Sequence, residues 1–206
     1  MTLGKGRAKK PGAGSPVFGE PPLSRAPGGE RSGGERSCGK RRIIGVDPGL
    51  ASTGWGVIDL DGGRLRHVGH GHIQTKAGLP RSVRLFTIME EIRAVLDLYK
   101  PGEAAMENLY FGKNVSSALP VAEARGVVSA TLAERGLAVS EFAPNTIKAG
   151  VAGIAKASKE QVQQMVRVIL NLEDVPKPNH CADALGVAIC AALRAPLAAP
   201  LSAGEL

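Results

Sequence analysis

The spacing of apolar residues changes character once along this chain, and that change constrains the fold more than any other feature. From residue 42 to about 75, apolar residues come in short runs closed by turn residues. Arg42-Ile43-Ile44-Gly45-Val46-Asp47 stops at Pro48-Gly49. Gly54-Trp55-Gly56-Val57-Ile58-Asp59-Leu60 stops at Asp61-Gly62-Gly63, and a third run covers about Leu65 to Thr75. Short apolar runs bounded by Pro and Gly read as strands joined by tight turns, and Asp-Gly is a hairpin signal. The chain therefore opens with three antiparallel strands.

Further on, the period lengthens. Leu85, Ile88, Ile92, Val95 and Tyr99, with Met89 and Leu96 beside them, fall on one face of a helix that Pro101-Gly102 ends. Ala104-Ala105-Met106-Glu107 is a brief fourth strand. A loop from Asn108 to Asn114 leads to a helix from about Ser116 to Arg135, closed by Gly136. Leu137 to Phe142 is a fifth strand, and Pro144-Asn145-Thr146 opens a short helix. Ser158 and Gln161 have the spacing of a capping box for a helix that turns Val162, Met165, Val166 and Ile169 inward. A last helix runs from about Asn179 to Leu193. Hairpins followed by βα crossovers predict an α/β domain with a five-stranded mixed sheet flanked by helices. That order fits a ribonuclease H-like arrangement better than a doubly wound dinucleotide fold.

The two ends differ in kind from this middle. Residues 1–40 hold ten Gly and five Pro, with eight Lys or Arg against three Glu. A segment so poor in apolar residues does not bury enough surface to offset its ordering entropy, so it reads as a disordered basic extension. Residues 195–206 read as a loose tail, which leaves 41–194 as the folded domain. The extension carries most of the net charge of +7. A basic excess favours a polyanionic partner such as nucleic acid, although a merely solvating tail explains it as well. It has no apolar core of a signal peptide, and no stretch is long enough to span a membrane. Cys181 and Cys190 lie on one predicted helix about 13 Å apart, too far to bridge. With Cys38 in the extension, no disulfide framework exists, and a reducing, cytoplasmic compartment is expected.

Four residues stand where elements begin or end. Asp47 closes the first strand and Glu107 the fourth, and these strands are neighbours in a sheet of this kind. His180 and Asp183, in Asn-His-Cys-Ala-Asp, are three apart in the first turn of the last helix and so share a face. Singly, each has an ordinary reading as a turn residue, an edge charge or a helix-terminal polar group. Together, three carboxylates and an imidazole hold hard divalent cations, and such a cluster can hydrolyse a phosphodiester. Elsewhere, His70 and His72 share a strand face and read as a solvent-facing pair, while His67 has no evident partner.

At this point the chain resembles a known family, the RuvC-type Holliday junction endonucleases of bacteria. The matching stretches are Ile44-Gly45-Val46-Asp47-Pro48-Gly49 with Thr53-Gly54-Trp55-Gly56-Val57-Ile58, and Met106-Glu107-Asn108 with Lys113-Asn114 and Ser117-Ala118-Leu119. They continue with Ala124-Arg125-Gly126-Val127, Lys159-Glu160-Gln161-Val162-Gln163 and Ala182-Asp183-Ala184-Leu185-Gly186-Val187-Ala188. The likeness spans about residues 42–194. It implies a ribonuclease H-like nuclease that resolves four-way junctions by paired nicks, leaving 5′-phosphate and 3′-hydroxyl ends, in recombination and repair. It implies that Asp47, Glu107, His180 and Asp183 are catalytic and hold magnesium or manganese, two ions per site. His at position 180, where some members have Asp, leaves the choice of ion open. It further implies DNA contacts for Tyr110, Lys113, Lys148 and Lys159, with Tyr110 stacking on an unpaired base. Its implied partners are a second copy of the chain, through the Ser116–Arg135 helix, and the branch-migration proteins of the Ruv complex. Two alternatives stay open: a non-catalytic junction-binding scaffold, and a ribonuclease H-like nuclease of other specificity.

Overall fold

The computed structural model describes residues 39–108 and 115–194, with the side chains of 115–117 left aside. The first three strands form where the turns predicted them: β1 (Arg41–Asp47), β2 (Ser52–Asp61) and β3 (Arg64–Gln74). Gly62 and Gly63, at φ 54° and 80°, make the β2–β3 turn, a backbone region that side chains with a Cβ avoid. Then follow α1 (Arg81–Tyr99), β4 (Glu103–Glu107), α2 (Val115–Glu134) and β5 (Val139–Phe142). Three helices complete the domain: α3 (Pro144–Ala152), α4 (Lys159–Ile169) and α5 (Asn179–Ala192). The strand order is β3-β2-β1-β4-β5, with β1–β2 and β2–β3 antiparallel and β1–β4 and β4–β5 parallel. This is the five-stranded mixed sheet expected from the sequence.

Alternation along β1 splits the core in two. Ile43 faces one side with α3, α4 and α5, while Ile44 and Val46 face α1 and α2. On the second side, Ile88, Ile92, Val95 and Leu96 of α1 meet Val128 and Leu132 of α2. On the first, α5 is covered all round: every residue from Ala184 to Ala192 is buried. A helix that is apolar on all faces belongs inside a protein, and α5 lies between the sheet and α3 and α4.

Two details differ from the sequence reading. The fifth strand begins at Val139 rather than Leu137. Gly136, at φ 70°, ends α2, and the Leu137 amide donates back to the Leu132 carbonyl at 3.1 Å, so Leu137 belongs to the helix stop. The second concerns His67. The β2–β3 register shifts between Val57 and Ile58, which leaves Val68 as an extra residue on β3. The bulge turns His67 and His70 toward one another, with Nε2 and Nδ1 2.8 Å apart. His67 therefore has a partner, and His70 pairs with it rather than with His72. Tyr110 and Lys113 lie outside the described residues.

Candidate metal centre

Asp47 and Glu107 are the last residues of two parallel neighbours. Val46 stands opposite Met106 in the register, so the next residue of each strand leaves the same end of the sheet. Pro48 stops β1, and Thr53 secures the turn that follows. Its hydroxyl donates to the Gly49 carbonyl at 2.9 Å and accepts from the Gly49 amide at 3.2 Å. Arg125 of α2 donates to the Glu107 carbonyl and pairs with Glu141 at 2.5 Å, which ties the ends of β4 and β5 to α2.

His180 and Asp183 arrive on the first turn of α5. How closely that helix can approach the sheet depends on two glycines. A Cβ on Gly54 would lie 2.1 Å from the His180 carbonyl oxygen, and one on Gly45 would lie 2.1 Å from that of Ala184. Gly54 is also the register partner of Asp47. The missing side chain thus sets the distance between the strand that carries Asp47 and the turn that carries His180. Sequence reading named these glycines only as part of a motif. It gave Arg125 no role either, because its contact partners are 18 and 16 residues away in sequence.

The assembled geometry is close. His180 donates from Nδ1 to the Asp47 carboxylate at 2.7 Å, and Lys159 donates to Asp183 at 2.7 Å. Ligand atoms of Asp47, His180 and Asp183 all lie within 4.8 Å of one another. Glu107 stands outside that group of three but borders it. It lines one cavity with Asp47 and a second with Asp183 and Lys159. The start of α4 fixes Lys159: the Gln161 amide donates to Ser158 Oγ at 3.2 Å, and the Ser158 amide donates to the Gln161 side chain at 2.8 Å. This is the expected capping box.

The electrostatics are those of crowded acids. Burial raises the Glu107 pKa, and the charges of Asp47 and Asp183 raise it further. Burial also raises that of Asp183, against the hydrogen bond from Lys159. Burial disfavours the Lys159 ammonium, but the Asp183 hydrogen bond and the nearby carboxylates outweigh it and its pKa rises. The hydrogen bond to Asp47 raises that of His180. Carboxylates that repel one another are relieved by cations, and here the Lys159 ammonium and the His180 hydrogen bond already do part of this. A donor set of carboxylate oxygens with one imidazole suits magnesium or manganese. Lys148 lines the same cavity as Glu107, Lys159 and Asp183.

Comparison with known proteins gives the chain its family. Residues 43–191 match the family described as "Crossover junction endodeoxyribonuclease RuvC". The protein of that name from Treponema pallidum (strain Nichols) is 50% identical over 147 residues, which cover 71% of this chain and 75% of the relative. That from Thermotoga maritima is 48% identical over 153 residues, covering 74% and 91%. Among solved structures, Thermus thermophilus RuvC in complex with Holliday junction substrate superposes with a TM-score of 0.70 at 33% identity, covering 74% of this chain and 93% of that one.

Proposed function

This chain belongs to the RuvC family of crossover junction endodeoxyribonucleases, and from that premise we propose how its own residues cut DNA. It is a metal-dependent endonuclease that resolves Holliday junctions. The observation that carries the assignment of its site is the mutual approach of Asp47, His180 and Asp183 within 4.8 Å, with Glu107 sharing one cavity with Asp47 and another with Asp183.

Asp47, Glu107, His180 and Asp183 would hold magnesium or manganese, two ions to a site. When bound, such ions act as Lewis acids that activate water and stabilise charge on the phosphate and the leaving oxygen. The protein's part is to place the acids and the strand. Asp47 and Glu107 come from the rigid sheet, and Gly54 and Gly45 let α5 close on it. Lys159 and Lys148 put positive charge at the rim, where they neutralise the backbone of the scissile strand. By resemblance to the family, Tyr110 and Lys113 would be further DNA contacts. In the reaction, a water oxygen bonds to phosphorus, the bond from phosphorus to the 3′-oxygen breaks, and that oxygen leaves as a hydroxyl. The nick then carries 5′-phosphate and 3′-hydroxyl ends.

A four-way junction has two-fold symmetry, so two copies of the chain would cut it at matched places. Val83 and Phe86 of α1 and Leu119 of α2 are exposed apolar residues on neighbouring helices, and the small residues Ala118, Ala122 and Gly126 permit close packing there. These features support a dimer face at α2. Branch-migration proteins of the Ruv complex would be further partners. Among the described residues no helix is long and apolar enough to cross a membrane, and the cytoplasm is the compartment we assign.

The test is nicking of labelled four-way junctions beside RNA–DNA hybrids and flaps, with magnesium, with manganese and with neither. Paired symmetric nicks in the junction, dependent on metal, are expected. Faster cutting of hybrid or flap, or binding without nicking across both metals, would overturn the reading.

A further inference from the structure

A cavity of about 900 Å³ lies outside the acid cluster, between β3, α4 and the segment that joins α4 to α5. None of Asp47, Glu107, His180 and Asp183 lines it. Leu172, Val175 and Pro176 give it an apolar wall, and Glu160, Glu173 and Asp174 stand around it with one cation, Lys177. Among the described residues, Glu173, Asp174 and Lys177 form no ion pair. His70 reaches the cavity from β3; His67 takes its Nδ1 at 2.8 Å, which leaves Nε2 for an occupant. Burial lowers the His70 pKa, so the ring adds no charge near neutral pH. Gln163 of α4 lines the cavity too. It is 9% exposed, and its Nε2 meets no acceptor among the described residues. An amide donor withdrawn from water and left unpaired costs free energy. Packing alone gives no reason for it, since Val162 and Val166 fill buried places on the same helix with hydrocarbon.

We propose that this cavity is a docking groove for a protein partner, taking a short basic segment that also carries apolar residues. The inference goes beyond the endonuclease reading and does not depend on it. A backbone carbonyl of the segment accepts from Gln163 Nε2 and so supplies the missing acceptor. Arg or Lys side chains pair with Glu160, Glu173 and Asp174, and apolar side chains cover Leu172, Val175 and Pro176. The volume suits a few residues of peptide. Three carboxylates against one ammonium repel a phosphodiester backbone, so DNA is the wrong occupant. A polyamine would satisfy the acids, but it brings no acceptor for Gln163. Glu160 directly follows Lys159, and Lys177 stands three residues before His180. A partner seated here therefore holds the two segments that carry those groups without entering the nuclease site.

The test presents a library of short random peptides to the full chain in magnesium, then titrates the enriched peptides by fluorescence anisotropy. They should combine Arg or Lys with apolar residues. Glu173→Lys with Asp174→Lys, both at exposed positions, should weaken their binding about tenfold or more. Gln163→Met, which keeps the length of the side chain, should weaken it about fivefold. Its melting temperature should equal or exceed the native one, because the change deletes an unpaired donor. Its junction binding by gel shift should stay within about twofold of native. If no basic peptide is enriched, or if these variants bind the enriched peptides as the native chain does, the groove is wrong. If Gln163→Met lowers the melting temperature, the amide is satisfied within the fold and the proposal falls. If it weakens junction binding instead of peptide binding, the groove takes nucleic acid and the proposal falls as well. The endonuclease reading survives each of these outcomes, since nicking decides it.

Discussion

The Nδ1–H of His180 donates to the Asp47 carboxylate at 2.7 Å across 133 residues of sequence. The bond joins the end of the central strand to the first turn of the last helix. On the proposed reading Asp47 would have two duties, one toward His180 and one toward a bound cation. Asp47→Asn separates them, because an amide still accepts a hydrogen bond but carries no charge. Nicking should fall about a hundredfold or more. Junction binding, measured by gel shift, should stay within about twofold because phosphate contacts elsewhere position the DNA. Loss of binding would make Asp47 structural.

Gly54→Ala would press a methyl group on the His180 carbonyl, with an unrelaxed separation of 2.1 Å. Overpacking of this kind costs about 1–3 kcal/mol, and α5 should move away from β2. Both melting temperature and metal response should change, with more magnesium needed for half-maximal nicking. Gly102→Ala is the control, since its Cβ would meet nothing within 4 Å. That change should leave the folded chain as stable as before or up to about 1 kcal/mol more so.

Arg125 holds both the Glu107 carbonyl and the Glu141 carboxylate. Arg125→Ala should cost about 1–3 kcal/mol of stability by denaturant titration. It should also reduce nicking more than junction binding, because it frees the backbone that carries Glu107. Arg125→Lys should rescue only in part, since an ammonium lacks the fork that reaches both acceptors. Equal loss of nicking and binding would remove Arg125 from the positioning of Glu107.

Burial, and then the charge of His70, push the His67 imidazole down from 6.5 to about 4. The unfolded chain takes up this proton near pH 6.5, while the folded chain resists it until about pH 4. Stability from this group is therefore complete above pH 6.5 and is lost as pH falls toward 4. Between pH 7 and pH 5 the loss should be about 1 kcal/mol once solvent screening is discounted. His67→Asn should flatten that slope in denaturant titrations at the two pH values. An unchanged slope would show that His67 titrates alike in both states.

Residues 39–194 should fold and cut without the basic extension. Lys40, read from sequence as part of that extension, pairs with Asp59 at 2.9 Å, so the truncation should begin at Gly39. Melting temperature and nicking rate are expected to stay near those of the full chain, with weaker salt-sensitive binding to duplex DNA. An inactive truncation would place essential residues before 39.

Much of this was legible in the residues alone. Pro48-Gly49 and Asp61-Gly62-Gly63 marked where strands stop, and the change of apolar period marked where helices begin. Turn chemistry and side-chain periodicity act over a few residues, so a linear reading detects them. The adjacency of Asp47 and Glu107 followed because both end strands that lie side by side. Tertiary packing decided the rest. The His67–His70 contact depends on a bulge at Val68 that no local pattern announces. Arg125 reaches Glu107 only because α2 lies across the ends of β4 and β5. Glycines 45 and 54 matter only because α5 descends on them. The Asp47–His180–Asp183 cluster is of this second kind: the chain supplies its groups locally, but the closeness of groups 133 residues apart comes from a buried helix settling on a sheet, where excluded volume fixes the distance.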